Sequence, residues 1–271
     1  MPIEYRNLHK AFDVPVLGGI SLTIADGETF AVVGPSGTGK SVLLKTTIGL
    51  IVPDQGDVFV DGQSVFQASP RELQAIRRKA GYVFQNAALF DSMNVFENVA
   101  YGLPDDVRRK IGRTEVLRRV TTSLEDVNLD AHVILSKLPS ELSGGMRKRV
   151  GLARAIVGEP RILLYDEPVT GLDPVNAASV DRLISDIAEK TGVTSIVVTH
   201  DIEGALSISD RLALLEGGQL RFVGTPEAFR ASNDPLVRAF ADRAAAVEAA
   251  MYDSARRGRI RDRVPETTST R

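Results

Sequence analysis

Two hydrophobic rhythms alternate along the chain. Near its start, IEYRNLHKAF (3–12), ISLTIADGE (20–28) and DVFVDG (57–62) alternate apolar with polar residues and carry Gly or Asp at their ends. This is the pattern of strands in a small antiparallel sheet. TFAVVG (29–34), GYVFQ (81–85), RILLYDE (161–167) and TSIVVTH (194–200) are instead compact, β-branched apolar runs. Such runs suit strands buried on both faces of a parallel sheet. LALLEGGQLRFVG (212–224) predicts a hairpin turning on Gly217-Gly218. Between the second and third buried strands, residues 92–157 carry helical periodicity with scattered Pro and Gly, which predicts a helical insertion. The pattern as a whole predicts an α/β fold with a parallel-sheet core, an antiparallel β subdomain and a helical subdomain.

Composition narrows the class only slightly. The 271 residues are 43% hydrophobic and 25% charged, ordinary for a globular chain with a sizeable core. Lys plus Arg (33) nearly balances Asp plus Glu (35), so no global field argues for nucleic acid. The absence of cysteine rules out disulfides and thiolate metal sites, and fits a reducing compartment. MPIEYRNLHKAF lacks the apolar core of a signal peptide, and no apolar stretch approaches the roughly 18 residues needed to span a bilayer. A membrane role is therefore expected only through a partner. From about Asn233 the chain becomes Ala-rich and helical in pattern (DPLVRAFADRAAAVEAAMYD), then basic and Ser/Thr-rich; the tail after Arg256 is expected to be disordered or partner-dependent.

The chemistry begins at GPSGTGKS (34–41), a complete G-x-x-x-x-G-K-[ST] between a buried strand and the helix-like SVLLKTTIGL. Gly34, Pro35, Ser36, Gly37, Thr38 and Gly39 form a loop whose backbone N–H groups can wrap phosphate oxygens at a helix N-terminus. Lys40 is placed to reach the β- and γ-phosphates, and Ser41 to ligate Mg2+. RILLYDE then ends a strand in two acids. Asp166 can hold Mg2+ through water, which leaves Glu167 as the candidate general base. His200, at the end of TSIVVTH, is a candidate γ-phosphate sensor. Gln85 can accept from the attacking water and ligate the metal. SELSGGMRKRVGLARAI (140–156) adds a second anion-site profile, with Ser143, Gly144 and Gly145 just ahead of a basic helix.

These elements, in this order, resemble the nucleotide-binding subunit of an ABC transporter from about Ile3 to Val223, with an ATP-binding domain bounded at 3–230 and a helical and basic extension at 231–271. The resemblance implies a P-loop NTPase of the ABC ATPase fold with a RecA-like parallel-sheet core, and an ATPase using ATP and Mg2+. It also accounts for the second anion site. In that family LSGG serves the ATP of the other subunit in a head-to-tail dimer, so Ser143, Gly144 and Gly145 would act in trans on a second copy of the chain. Phe12 stands where an aromatic stacks on adenine, and Asp173 in GLDP (171–174) where a loop connects the two sites. Met146 departs from the usual glutamine after LSGG and reads as a subfamily marker.

ALFDSMNVFENVAY, LSGGM and NDPLVRAF together resemble the ATPases of Mla/Mce-type phospholipid and lipid transport systems. That resemblance implies a permease dimer in the membrane, an Mce-type substrate-binding protein, and often a small STAS-domain subunit on the helical region. It places the chain at the cytoplasmic face of a bacterial inner membrane. Leu89 and Phe90, with the Val95, Phe96 and Val99 helix, are candidates for a groove that takes a permease helix; the alternative is that the three helix residues face the subunit's own core. Importers of amino acids or other small solutes carry a related segment, and a soluble ABC ATPase acting on DNA or ribosomes is the more distant alternative. The arginines of the tail (Arg256, Arg257, Arg259, Arg261, Arg263) are either solvated or in contact with a neighbouring subunit or anionic lipid.

Overall fold

The computed structural model describes residues 1–242, so the basic tail and most of the C-terminal extension lie outside the described residues. In chain order the elements are β1 (Ile3–Ala11), β2 (Pro15–Ile24), β3 (Thr29–Val33), α1 (Lys40–Thr46), β4 (Gln55–Val60), β5 (Gln63–Ser64), α2 (Pro70–Arg78) and β6 (Ala80–Val83). There follow α3 (Val95–Ala100), α4 (Asp105–Asp126), α5 (Ala131–Ile134), α6 (Gly144–Ile156), β7 (Ile162–Asp166) and α7 (Pro174–Thr191). The last are β8 (Thr194–Thr199), α8 (Ile202–Ile208), β9 (Arg211–Glu216), β10 (Gln219–Gly224) and α9 (Pro226–Arg230). Residues 235–242 are again helical.

The two strand patterns segregate into two sheets. The alternating strands form an antiparallel sheet in the order β2-β1-β4-β5. The apolar runs form a sheet in the order β10-β9-β3-β8-β7-β6, parallel from β9 to β6. Its inner strands β3, β7 and β8 are buried at every position because successive side chains enter cores on opposite faces. Phe30 and Val32 of β3, with Leu164, Ile196 and Val198, join α1 and the antiparallel sheet through Leu43, Leu44, Ile3 and Leu8. Leu163, Tyr165 and Val197 pack on the other face with α6 and α7. Ala31 and Val33 meet α8 and Phe229 there instead. The β9–β10 hairpin turns on Gly217 and Gly218 at positive φ, as the two glycines predict.

Boundaries differ in three places. β6 ends at Val83, leaving Phe84 and Gln85 beyond the strand, because the chain turns away through Ala87 and Ala88 at positive φ. The helix after the phosphate loop stops at Thr46; Thr46 Oγ1 donates to the Leu43 carbonyl (2.6 Å), and Gly49 turns at φ 65°. β2 starts earlier and stops at Ile24, before a turn at Gly27. In the helical region Asn94 caps α3, in a capping box with Glu97. α4 bends at Gly112, whose φ of 71° is outside the helical range.

Candidate nucleotide site

β3, β8 and β7 are adjacent and parallel, so their C-terminal ends meet on one edge of the sheet. The loop 34–39 leaves β3, Asp166 and Glu167 end β7, and His200 follows β8. Three segments more than thirty residues apart thus deliver their polar ends to one place, and the buried runs behind them fix the spacing.

The loop is shaped by its glycines. At Gly34 a Cβ would stand 2.2 Å from the Leu215 carbonyl oxygen, and at Gly39 (φ 97°) 2.8 Å from Val16 Cγ1. Only glycine permits both approaches. Lys40 opens α1 and is buried; its ammonium donates to the carbonyls of Gly34 (2.9 Å) and Pro35 (3.0 Å) and lies 3.5 Å from Glu167 Oε1. The cation is held by the loop it serves and faces the acid across the cleft. Pro35, Ser36 and Gly37 are exposed, and Thr38 Oγ1 closes the turn on the Pro35 carbonyl (2.9 Å).

The two acids take different partners. Ser41 Oγ donates to Asp166 Oδ1 (2.6 Å), and Tyr82 OH donates to Asp166 Oδ2 (2.9 Å) with Lys45 Nζ at 3.8 Å. Burial, and secondarily the Asp166 charge, push the Tyr82 hydroxyl well above the ordinary phenol range, so it is a fixed donor. Glu167 is only 8% exposed and sits at φ 49°, a left-handed conformation that a non-glycine residue adopts only when its surroundings impose it. Its amide donates to the Val198 carbonyl (2.9 Å). Its Oε2 meets His200 Nδ1 (2.7 Å) and accepts from Thr170 Oγ1 (3.1 Å). The sequence brings Lys40, Ser41, Asp166, Glu167 and His200 together; Tyr82, Lys45 and Thr170 are additions it does not announce.

The other candidates lie apart from this cluster. Phe12 is 60% exposed beyond β1, with the Lys10 ammonium 5.2 Å from its ring centroid. Gln85 is exposed, and its carbonyl accepts from Lys148 Nζ (2.7 Å). Ser143 caps α6, its Oγ accepting from the Met146 amide (3.2 Å), while Gly144 opens freely to solvent. Met146 packs against the helical core. Asp173 caps α7 and accepts from the Val175 and Asn176 amides (both 3.1 Å); the Asn176 side chain donates to it as well and, first among these bonds, holds its carboxyl below the usual range. Val95 and Val99 are fully buried and Phe96 and Leu89 pack on the same core, so these two valines belong to the subunit's interior rather than to a groove. Phe90 is 39% exposed and meets Tyr101 edge-on, ring centroids 4.8 Å apart. Beside Tyr101 a cavity of about 660 Å³ opens between α3 and α4.

Comparison with known proteins agrees with this geometry. The profile of the ABC transporter family matches residues 17–170. The chain is 45% identical over 231 residues to the sulfate/thiosulfate import ATP-binding protein of Caulobacter vibrioides. It is 41% identical over 239 residues to the probable ribonucleotide transport ATP-binding protein mkl of Mycobacterium tuberculosis. These alignments cover 84% and 88% of this chain, which spans 66% of the length of each relative. The intermembrane phospholipid transport system ATP-binding protein MlaF of Escherichia coli is 40% identical, with 84% of this chain and 83% of that protein aligned. Among solved structures, a dimeric ATP-binding cassette in a post-hydrolysis state bound to ADP and Pi superposes with a TM-score of 0.76 at 31% identity, covering 83% of this chain and 98% of that one. With the phosphate loop, the paired acids and the strand-end histidine on one sheet edge, the fold shared and the family profile matched over more than half its length, the chain belongs to the ABC transporter family as an ATP-binding domain.

Proposed function

We propose that the chain is an ATPase that works as a head-to-tail dimer and drives lipid transport through a membrane permease. The observation that carries hydrolysis is Glu167, buried in a left-handed conformation between the Lys40 ammonium and His200. A carboxylate so held keeps its position while it takes a proton from an attacking water. His200 Nδ1 orients it and can turn toward the γ-phosphate. Lys40 and the backbone amides of residues 36–39 bind the phosphates, Phe12 stacks on adenine, and Gln85 contacts the water and the metal.

Ser41 Oγ and Asp166 Oδ1, 2.6 Å apart, are hard oxygen donors beside the phosphate loop, a set that suits Mg2+. When bound, that ion neutralises charge on the β- and γ-phosphates. Ser143, Gly144 and Gly145 are exposed or half-buried at the start of α6, free to meet the nucleotide of a second copy. The dimeric ADP-bound relative supports this pairing.

The lipid assignment rests on the Escherichia coli phospholipid relative, aligned over most of both chains, and on the 85–103 segment. It implies a permease dimer held through Phe90 and Tyr101, an Mce-type substrate-binding protein, a STAS-domain subunit, and a site of action at the cytoplasmic face of the inner membrane. No helix among the described residues is long and apolar enough to cross a membrane. The sulfate/thiosulfate relative, at higher identity, favours the second reading, an importer of small solutes. The test is to isolate the subunit with its permease and measure both bound lipid, by mass spectrometry, and ATPase. Co-isolated phospholipid with lipid-dependent ATPase is expected. A lipid-free complex whose ATPase responds to a small solute and its binding protein would replace the lipid reading with the importer one.

A further inference from the structure

α6 carries more than the LSGG turn at its start. Lys148, Gly151 and Arg154 recur every three residues, so they share one side of the helix, and all three meet the loop that follows β6. Lys148 Nζ donates to the Gln85 carbonyl (2.7 Å). Arg154 Nη2 donates to the Ala87 carbonyl (2.6 Å) and Nη1 to the Ala88 carbonyl (2.7 Å). Between the two cations, Gly151 lets the loop rest on the helix: a Cβ there would lie 3.1 Å from Ala87 Cβ and 3.3 Å from its Cα. Ala87 and Ala88 are at φ 59° and 47°, a left-handed conformation that alanine holds only under constraint. The constraint is visible, since the Arg154 guanidinium grips both of the carbonyls those torsions turn toward α6. Charge-assisted bonds of this length are the strong kind.

We infer that Lys148 and Arg154 are positioning residues that clamp the loop Gln85–Phe90 to α6, so that the loop and the helix bearing Ser143–Gly145 move as one body. Nothing in the family match or the relatives' names assigns them this role. Any shift of α6 then carries Gln85 with it, and a displacement of Phe90 is felt at the signature turn. The consequence for catalysis rests on the hydrolytic reading above; the clamp itself does not.

The experiment separates the two. Hydrogen exchange of the isolated subunit compares the wild type with Lys148→Met and Arg154→Met. The amides of Ala87, which donates to the Phe84 carbonyl, and Phe90, which donates to Asn98 Oδ1, report on the loop. Exchange there should rise on the order of tenfold, the loss of one charge-assisted bond, while β3, β7 and β8 stay protected. Unchanged exchange at Ala87 and Phe90 overturns the clamp, and so does a uniform rise through the core, which would mark the two residues as merely structural. ATPase rates of Lys148→Met, Gln85→Ala and the double variant complete the test. If the clamp sets Gln85, Lys148→Met lowers kcat in the wild type but adds little once the Gln85 side chain is gone. Equal losses in both backgrounds overturn the positioning role. A wild type without ATPase would instead refute the proposed function and leave the exchange result to decide the clamp.

Discussion

Replacing Asp181 with Asn is expected to make the subunit more stable, and increasingly so as pH rises. Asp181 on α7 and Asp201, the N-cap of α8, both turn an oxygen toward Gly204: a Cβ at that glycine would lie 2.7 Å from Asp181 Oδ2 and 2.9 Å from Asp201 Oδ2. Asp201 Oδ1 meanwhile accepts from the Gly204 amide (3.2 Å) and is committed to the cap. Burial first, and the Asp201 charge second, push the Asp181 carboxyl from an ordinary 3.8 up to about 7. The folded protein therefore keeps a proton that the unfolded chain surrenders between these values. Stability from this group is fully present below pH 4 and is lost as pH rises through about 7. At ~1.4 kcal/mol per pH unit the window holds about 4 kcal/mol at most. Asn has the shape of the protonated acid at every pH. The variant should match the wild type near pH 4 and exceed it by a margin that grows up to about pH 7 and levels off above it. Denaturant midpoints of both proteins across that range are the assay. A difference independent of pH, or one that shrinks as pH rises, would refute the account of a proton held by buried Asp181.

Further outcomes follow from the site. Glu167→Gln should retain ATP binding and lose turnover by about 100-fold or more, because it removes the proton acceptor and leaves the phosphate loop intact; nucleotide trapping beside steady-state ATPase reads both. Tyr82→Phe frees Asp166 Oδ2 from a donor 2.9 Å away, so the Mg2+ concentration needed for half-maximal ATP binding should rise several-fold with Mg2+-free nucleotide affinity unchanged; an unaltered Mg2+ titration would remove Tyr82 from the metal side of the site. Phe90→Ala should cost only about 0.5–1.5 kcal/mol through its contact with Tyr101, against about 3–5 for a buried phenylalanine, and should leave ATP binding intact while the permease is lost on purification. A large fall in melting temperature would instead place Phe90 in the core.

What could be read from the chain was what is local in it. The phosphate loop declares itself because a glycine pattern, a strand before it and a helix after it all fall within twenty residues. Asp166, Glu167 and His200 could be placed because parallel buried strands share one functional edge, so their last residues must meet. Tyr82 could not: in GYVFQ a phenylalanine would give the same strand, and its hydroxyl matters only because β6 lies beside β7. Val95 and Val99 show the same limit from the other side. Their periodicity gives a helix with an apolar face but not the identity of what covers it, and α6 fills that face from within the subunit. Lys148 and Arg154 could not be placed, since nothing in RKRVGLAR tells a cation facing water from one facing carbonyls.

The remaining question is how two anion sites in one chain answer to each other. The link lies at the start of α7. Glu167 accepts from Thr170, and three residues on Asp173 caps α7 and holds the Asn176 side chain. Asn176 Oδ1 in turn lies 3.3 Å from where a Cβ of Gly145 would be. Glu167 and Gly145 are thus ends of one short path, made of side-chain contacts at both ends and of the backbone from Thr170 to Asp173 between them. If a second copy places its ATP against Gly145, the force on that glycine reaches Asn176, Asp173 and then the loop that fixes Glu167. Glycine at 145 serves both purposes: it leaves the amide open to an anion, and it lets Asn176 approach closer than a side chain would allow. If the proposed head-to-tail dimer forms, closing one site acts through this path on Glu167 of the other.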